Sequence, residues 1–258
     1  MGRLQDRVAL VTGASRGIGR AIAADFAAEG AIVVGTGRHA ATGLPAMAEI
    51  VAGGGRARFL EGDVADEARV QEIVATVLAD HGRIDIMVNN AAIQREGRLA
   101  EQRTSDFHDV VNTNLLGTFL FCRAVLPAMV TQGSGVIINV SSVLGLVGDP
   151  VLPVYCATKA GILGLTRSIA IAYADRGVRA VGLCPGDVDT ELNQQYFDSQ
   201  PDPAAFRSRI EREYPVRRIA TVEEIARVAT FLASDDASFI AGTHVLVDGG
   251  ILSRIYEV

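Results

Sequence analysis

The sequence predicts an α/β fold: a single-domain, doubly wound sheet of seven mostly parallel strands with helices on both faces. Three observations lead there. Short β-branched runs alternate from end to end with Ala-rich amphipathic stretches. The strand-like runs are continuously apolar, the pattern of strands covered on both faces and joined by right-handed crossovers. The first of them runs straight into a glycine-rich turn and then a helical pattern. No composition break, low-complexity linker or internal repeat divides residues 1–258, so one domain is expected.

In chain order, Val8–Thr12, Ala31–Thr36, Ala57–Glu61, Ile84–Asn89, Val136–Ser141, Val178–Cys184 and Thr243–Val247 read as buried strands. Helical patterns fall at Gly17–Glu29, Gly43–Ala52, Glu67–His81, Leu115–Val130, Val154–Arg176 and Val222–Ala233. The irregular region is Glu191–Tyr214, polar and interrupted by Pro201 and Pro203. A long insertion late in an α/β chain reads as a mobile substrate lid, over about residues 191–214.

Composition narrows the function classes. With 49% hydrophobic residues the chain can bury a large core. A net charge of −6 without a Lys/Arg block argues against nucleic acid or an anionic membrane as partner. Cys122, Cys156 and Cys184 form no CxxC, and His39, His81, His108 and His244 are scattered. That usage suits a reducing compartment and gives no metal site. The N-terminal residues hold no signal-length apolar run, and no apolar stretch reads as a bilayer span, so a cytoplasmic location is expected.

The strand Val8–Thr12 leads into Thr12-Gly13-Ala14-Ser15-Arg16-Gly17-Ile18-Gly19. Glycines here let the backbone turn tightly and approach a pyrophosphate, which meets the positive end of the following helix. Farther on, Tyr155 and Lys159 stand four residues apart, on one face of a helix. A tyrosine is a poor acid or base near neutrality, with a reference pKa of about 10, and a nearby lysine charge stabilises its phenolate. The pair reads as a proton-transfer device.

With these motifs the chain resembles the short-chain dehydrogenase/reductase family over nearly its full length. The quoted loop matches the family's TGxxxGxG element and Tyr155-x-x-x-Lys159 its YxxxK. The resemblance implies a Rossmann-like NAD(P)-binding domain. It implies adenine contacts from Asp63-Val64 and a cofactor floor from Asn89-Asn90-Ala91-Ala92, where Ala92 replaces the family's glycine. It further implies nicotinamide contacts from Pro185-Gly186-Asp187-Val188-Asp189-Thr190, chiefly Pro185, Gly186, Val188 and Thr190. By the same resemblance Asn114, Ser142, Tyr155 and Lys159 form a catalytic tetrad. Tyr155 would exchange the proton, Ser142 would hydrogen-bond the reacting oxygen, Lys159 would hold the nicotinamide ribose and lower the tyrosine pKa, and Asn114 would hold a water. Ser141 neighbours Ser142, and only one of them can face substrate from a strand end; the interval to Tyr155 favours Ser142.

Charge decides between the two nicotinamide cofactors. NAD-selective sites place an acid at the end of the second strand, where it also repels a 2′-phosphate. Gly37 stands there, followed by Arg38, and Arg16 comes from the facing loop. Two guanidiniums on one phosphate favour NADP(H) over NAD(H). Substrate contacts are expected from Gln94–Glu96, with Gln94 and Asp149 as polar handles, and from an apolar wall of Leu144, Leu146, Val147, Val151 and Leu152.

The expected activity is interconversion of a secondary alcohol and a ketone on a small molecule. The alternatives are a 3-oxoacyl-[acyl-carrier-protein] reductase-like enzyme and, from another class, a non-catalytic NADP-binding regulator. An acidic carrier protein would need a basic surface, and Thr131-Gln132-Gly133-Ser134-Gly135 carries no Lys or Arg although Arg176 is present. The family resemblance also implies a homotetramer built through the helices Leu115–Val130 and Val154–Arg176 and through Val222–Ala233 with Thr243–Val247. The C-terminal run Leu252–Val258 is expected to reach a neighbouring subunit.

Overall fold

The computed structural model describes residues 2–253, so the tail from 254 onward, expected to reach a neighbour, lies outside them. The apolar runs become β1 Val8–Thr12, β2 Ile32–Gly37, β3 Arg56–Glu61, β4 Ile86–Asn89, β5 Gly135–Val140, β6 Val178–Pro185 and β7 His244–Val247. All pair in parallel, in the order β3-β2-β1-β4-β5-β6-β7. The helices are α1 Gly17–Ala28, α2 Ala40–Ala52, α3 Glu67–His81, α4 Thr104–Val110, α5 Gly117–Gln132, α6 Pro153–Tyr173, α7 Glu191–Asp198, α8 Pro203–Glu213 and α9 Val222–Ala233. The fold is thus the predicted Rossmann-like α/β sheet, with strands that are parallel throughout.

Two apolar layers cover the sheet. Ile22, Phe26, Met47, Ile225 and Leu232 pack α1, α2 and α9 on one face. Ile73, Val77, Phe121, Met129 and Ile169 pack α3, α5 and α6 on the other. Successive connections run outward in opposite directions from β1 and β4, so a crevice opens at their carboxyl ends, between Thr12 and Asn89.

Four elements depart from the sequence expectation. The second helix begins at Ala40 rather than Gly43, because Glu61 Oε1 accepts the Ala40 N–H at 2.8 Å. The fifth extends backward through a π-helical segment, Val111–Leu116, into α4. The resulting run Thr104–Gln132 spans 29 residues and is long and apolar enough to cross a bilayer by length and composition, contrary to expectation. Here its apolar residues Phe121, Val125 and Met129 pack on the sheet. The polar region 191–214, expected to be irregular, folds as α7 and α8. Thr190 Oγ1 caps the first from Asn193 N–H, and Asp202 caps the second from Ala205 N–H with Pro203 at its first position. Phe197, Tyr214 and Ile219 give this hairpin a small core of its own, with Tyr196, Phe206 and Ile210 against it.

One buried polar chain ties the sheet to α6. Asn89 Nδ2 donates to Asn139 Oδ1 at 2.8 Å, and Asn139 Nδ2 donates to Thr166 Oγ1 at 2.9 Å. Asn139, Thr166 and Asn89 are all nearly free of solvent. Truncating Asn139 strips partners from two buried groups, at about 1–3 kcal/mol each. Asn139→Ala is therefore expected to lose roughly 2–4 kcal/mol of unfolding free energy in urea denaturation. A loss within experimental error would show that the chain of amides contributes nothing to α6 placement.

Candidate active site

The crevice between β1 and β4 is closed by hydrogen bonds that only this sequence pattern supplies. Thr12 Oγ1 accepts from Asn90 N–H at 2.9 Å and Ala91 N–H at 3.0 Å, and Asn90 Nδ2 donates back to Thr12 O at 3.0 Å. The glycine loop rises above this seam. Gly13 sits at φ +65°, and a methyl group on it would lie 2.9 Å from Asn90 Nδ2. A methyl on Gly19 would collide with Gly13 O. The backbone is bare where a pyrophosphate needs to approach, and Gly17 opens α1. Ser15 and Ile18 lie along the same turn, with Ile18 packed on the core beneath.

Arg16 and Arg38 are both exposed, and neither guanidinium has a hydrogen bond or ion pair among the described residues. The carboxylate paired in register with Gly37, Glu61, is turned to the α2 N-terminus. Asp63 Oδ1 accepts the Ala65 N–H at 2.9 Å, forming the turn that precedes α3. Val64 is buried against Gly117, where an added methyl would meet its Cγ2 at 2.6 Å.

After β6, the chain Pro185–Thr190 faces this loop: a methyl on Gly17 would touch Thr190 Cγ2 at 3.4 Å. Val188 is buried in the core, so only its backbone is available to a ligand. Beside Gly17 and Thr190 a cleft of about 750 Å³ runs between α1, α7 and α9. Glycines without room for a side chain, two uncommitted guanidiniums and a Glu61 carboxylate engaged by the Ala40 N–H fit a phosphorylated dinucleotide.

Tyr155 and Lys159 occupy the first two turns of α6, with Lys159 Nζ 5.3 Å from the Tyr155 ring centre. Lys159 is buried and donates to Val140 O at 2.8 Å. The two serines point apart. Ser141 is buried and donates to Lys159 O at 2.8 Å, whereas Ser142 is partly exposed and its Oγ accepts the Leu144 N–H at 3.1 Å. Asn114 lies in the π-helical segment, fully buried; its Oδ1 accepts Ile93 N–H at 2.8 Å and its Nδ2 reaches Ile93 O and Thr158 Oγ1. That amide fixes the Ile93 loop and reaches α6 through Thr158. Gln94 follows Ile93 and is half-buried, and Leu144 turns at the Ser142 corner, where its N–H donates to Ser142 Oγ.

Burial dominates the electrostatics. It pushes the Tyr155 hydroxyl well above its ordinary value; the Cys156 and Asp187 charges add to this and the Ser142 hydrogen bond opposes it. Burial also pulls Lys159 down from 10.5 to about 8.

Sequence reasoning assigned no role to Asp187, Tyr214 or Asn193. Asp187 is half-buried; its carboxylate accepts Tyr214 O–H at 2.8 Å and Asn193 Nδ2 at 3.2 Å, and Tyr214 Oη accepts the Asp187 N–H at 2.6 Å. The one available signal was an acid inside the Pro-Gly segment, where desolvation is costly.

Comparison with known proteins fits this geometry. A family model described as enoyl-(acyl carrier protein) reductase matches residues 13–252. The chain belongs to the short-chain dehydrogenase/reductase family. It is 36% identical to the 3-oxoacyl-[acyl-carrier-protein] reductase FabG of Escherichia coli over 96% of this chain and 98% of that protein. An uncharacterized oxidoreductase of Thermotoga maritima is 39% identical over 95% of this chain and 97% of its own. Among solved structures, a gluconate 5-dehydrogenase from Burkholderia cenocepacia in complex with NADP and tartrate superposes with a TM-score of 0.92. That protein is 35% identical, with 98% of both chains covered. The protein is therefore an oxidoreductase of this family.

The buried lysine makes stability depend on pH. Its folded-state value, about 8, lies below the ordinary 10.5, so between those values the unfolded chain binds more protons and stability rises with pH. Below the folded value the penalty is present in full. Lys159→Met removes that penalty, so the variant's stability advantage should be largest at a pH of about 7 and smaller by about 10. Urea unfolding of both proteins at the two values reads this directly. A constant difference would mean that the lysine keeps its charge on folding.

Proposed function

We propose that the protein is an NADP(H)-preferring enzyme that interconverts a secondary alcohol and a ketone on a small-molecule substrate, with Tyr155 as proton donor and acceptor. The observation that carries this reading is the placement of Ser142, Tyr155 and Lys159 together, beside a glycine loop with no room for side chains. Bound NADP(H) supplies or accepts the hydride. Gly13, Ser15, Gly17, Ile18 and Gly19 would hold its pyrophosphate, and Arg16 and Arg38 its 2′-phosphate. Asp63, Val64, Asn90 and Ala91 would flank the adenosine half, and Pro185, Gly186, Val188 and Thr190 the nicotinamide. Arg16 and Arg38 support the choice of NADP through their uncommitted donors.

Tyr155 holds the transferable proton at its hydroxyl. Burial keeps that group protonated, the form needed to donate to a forming alkoxide. Ser142 donates to the same reacting oxygen, where negative charge develops. Lys159, when protonated, places its charge beside the Tyr155 ring and stabilises the phenolate left after donation. Asn114 positions the loop at Ile93, and through it the Gln94 side of the substrate pocket.

The similarity to a 3-oxoacyl-[acyl-carrier-protein] reductase favours a second reading, with a carrier-bound substrate. Against it, two positive charges flanking the pocket helices are partnered: Arg123 with Glu67 at 2.5 Å and Arg176 with Asp175 at 3.7 Å. A free small molecule is therefore the reading advanced here. Homotetrameric assembly belongs to the same proposal, supported by apolar Ile171 and Phe239 left on the surface of α6 and ahead of β7.

Two measurements test it. Tyr155→Phe should reduce turnover by about 10²–10⁴-fold while NADPH affinity, read by fluorescence, stays near wild type. Retained turnover would remove the tyrosine from the chemistry. Arg38→Ala should shift the NADP-over-NAD preference in kcat/KM by roughly tenfold or more, the effect of losing one charge-assisted contact. An unchanged preference would mean that the guanidinium does not meet the 2′-phosphate.

A further inference from the structure

The corner that follows β5 carries two residues that the proposed chemistry leaves unused. Ser141 is buried, and its N–H donates to Leu183 O of β6 at 2.7 Å. That bond belongs to the sheet. Its hydroxyl turns the other way and donates to Lys159 O at 2.8 Å. Lys159 O lies inside α6, and a carbonyl has a second lone pair to offer such a donor.

Gly145 closes the same corner. A methyl group on it would lie 2.6 Å from Ser141 Oγ, 2.9 Å from Lys159 O and 3.0 Å from Lys159 C. Two of these atoms are helix backbone, which does not turn aside as a side-chain tip does. Gly145 is not among the glycines at positive φ. Its backbone conformation therefore does not call for glycine, but the contact does. The bare Cα lets the α6 peptide settle on the corner, and the Ser141 hydroxyl fastens it there.

The corner itself is cross-tied. Gly145 N–H donates to Ser142 O at 3.0 Å, and Leu144 N–H donates to Ser142 Oγ at 3.1 Å. Ser142 thus rides on the unit that holds the Lys159 peptide. The lysine side chain returns to the same strand end, where Nζ donates to Val140 O at 2.8 Å. Lys159 is held at both its carbonyl and its ammonium. It is also the single lysine in a chain whose other long basic side chains are all arginine. A guanidinium keeps its charge in any surroundings, whereas an ammonium responds to burial. The one burial-sensitive cation is the one with a fitted seat.

We infer that Ser141 and Gly145 are positioning residues for the reaction: together they seat the Lys159 peptide and so fix Lys159, and Tyr155 one turn before it, relative to Ser142. This rests on the alcohol–ketone reading above. Neither residue touches substrate or cofactor; both act through the lysine turn.

The test compares wild type with Ser141→Ala, Ser141→Thr and Gly145→Ala. Lysine isotopically labelled at Cε gives one protein resonance by NMR, because the chain has one lysine. Its pH titration reads the seat without any substrate, so it stands apart from the alcohol–ketone reading. None of the substitutions changes a charge, and the titratable groups beside the ammonium, Tyr155 on α6 and Cys184 on β6, are retained. The wild-type midpoint should lie at about 8. A loosened seat admits water, so Ser141→Ala and Gly145→Ala should raise that midpoint toward 10.5 by about half a pH unit or more. With the alcohol that wild type turns over best, kcat should fall roughly tenfold or more while KM stays within about twofold. Ser141→Thr keeps the hydroxyl and should restore both readings.

Ser141→Ala leaves the strand backbone intact, which keeps the test open if Gly145→Ala does not fold. A merely structural contact would cost stability in urea and leave the midpoint and kcat at their wild-type values. That result overturns the inference, as does a Ser141→Thr protein that behaves like Ser141→Ala. A wild-type protein that binds NADPH but turns over no alcohol or ketone counts against the alcohol–ketone reading instead, and the lysine titration still decides the seat.

Discussion

A parallel sheet whose connections diverge at one point must leave a gap there, and the backbone groups lining that gap have no strand partner. In this protein β1 and β4 pair with each other, the gap lies past their carboxyl ends, and Thr12 and Asn90 close it there with reciprocal hydrogen bonds. The seam allows the glycine loop to lie directly over the sheet edge, because the groups below it are already satisfied. It also sets the height of the Ile93 loop, which Asn114 then holds by two further bonds. The glycine loop, the Ile93 loop and the α4–α5 bend are thus referred to one pair of side chains.

The reacting end is governed by burial more than by pairwise charge. Tyr155 and Lys159 are adjacent, yet each is displaced toward its neutral form, the tyrosine upward and the lysine downward. Their cooperation is therefore sensitive to whatever enters the site and changes that burial. Cys184 beneath the lysine shows the same trend, its thiol raised to about 11 by burial. A low-dielectric floor of this kind magnifies every charge brought to it.

Much of this could be read from the chain. All seven strands were visible because parallel strands covered on both faces are continuously apolar, which suits a run-based reading. The glycine loop and the Tyr155–Lys159 interval were visible because chemistry fixes their spacing. The helix α4 was missed because Thr104–Val110 is short and mostly polar, and because Asn112, Thr113 and Asn114 break the apolar period between it and α5 at a π-helical turn that a period of 3.6 does not describe. The helices α7 and α8 were missed because Pro201 and Pro203 read as breakers, although Pro203 in fact opens α8. The anchoring of Asp187 by Tyr214 was out of reach for a different reason: the partners are 27 residues apart and meet only after the hairpin packs.

The base of that hairpin has a mechanical consequence. Tyr214 is pressed against Gly186, where a methyl group would lie 2.8 Å from its hydroxyl oxygen, and Val216 against Gly249, where a methyl would lie 2.7 Å from Cγ2. Bare backbone on both sides grips the hairpin where it rejoins the body, leaving no slack for sliding. Such a joint is a fulcrum: the side nearest Asp187 is held, and any movement of the hairpin is confined to the far end of α7 and α8. Under the proposed function, this puts any adjustment to substrate length at the outer end and keeps the side nearest Asp187 fixed.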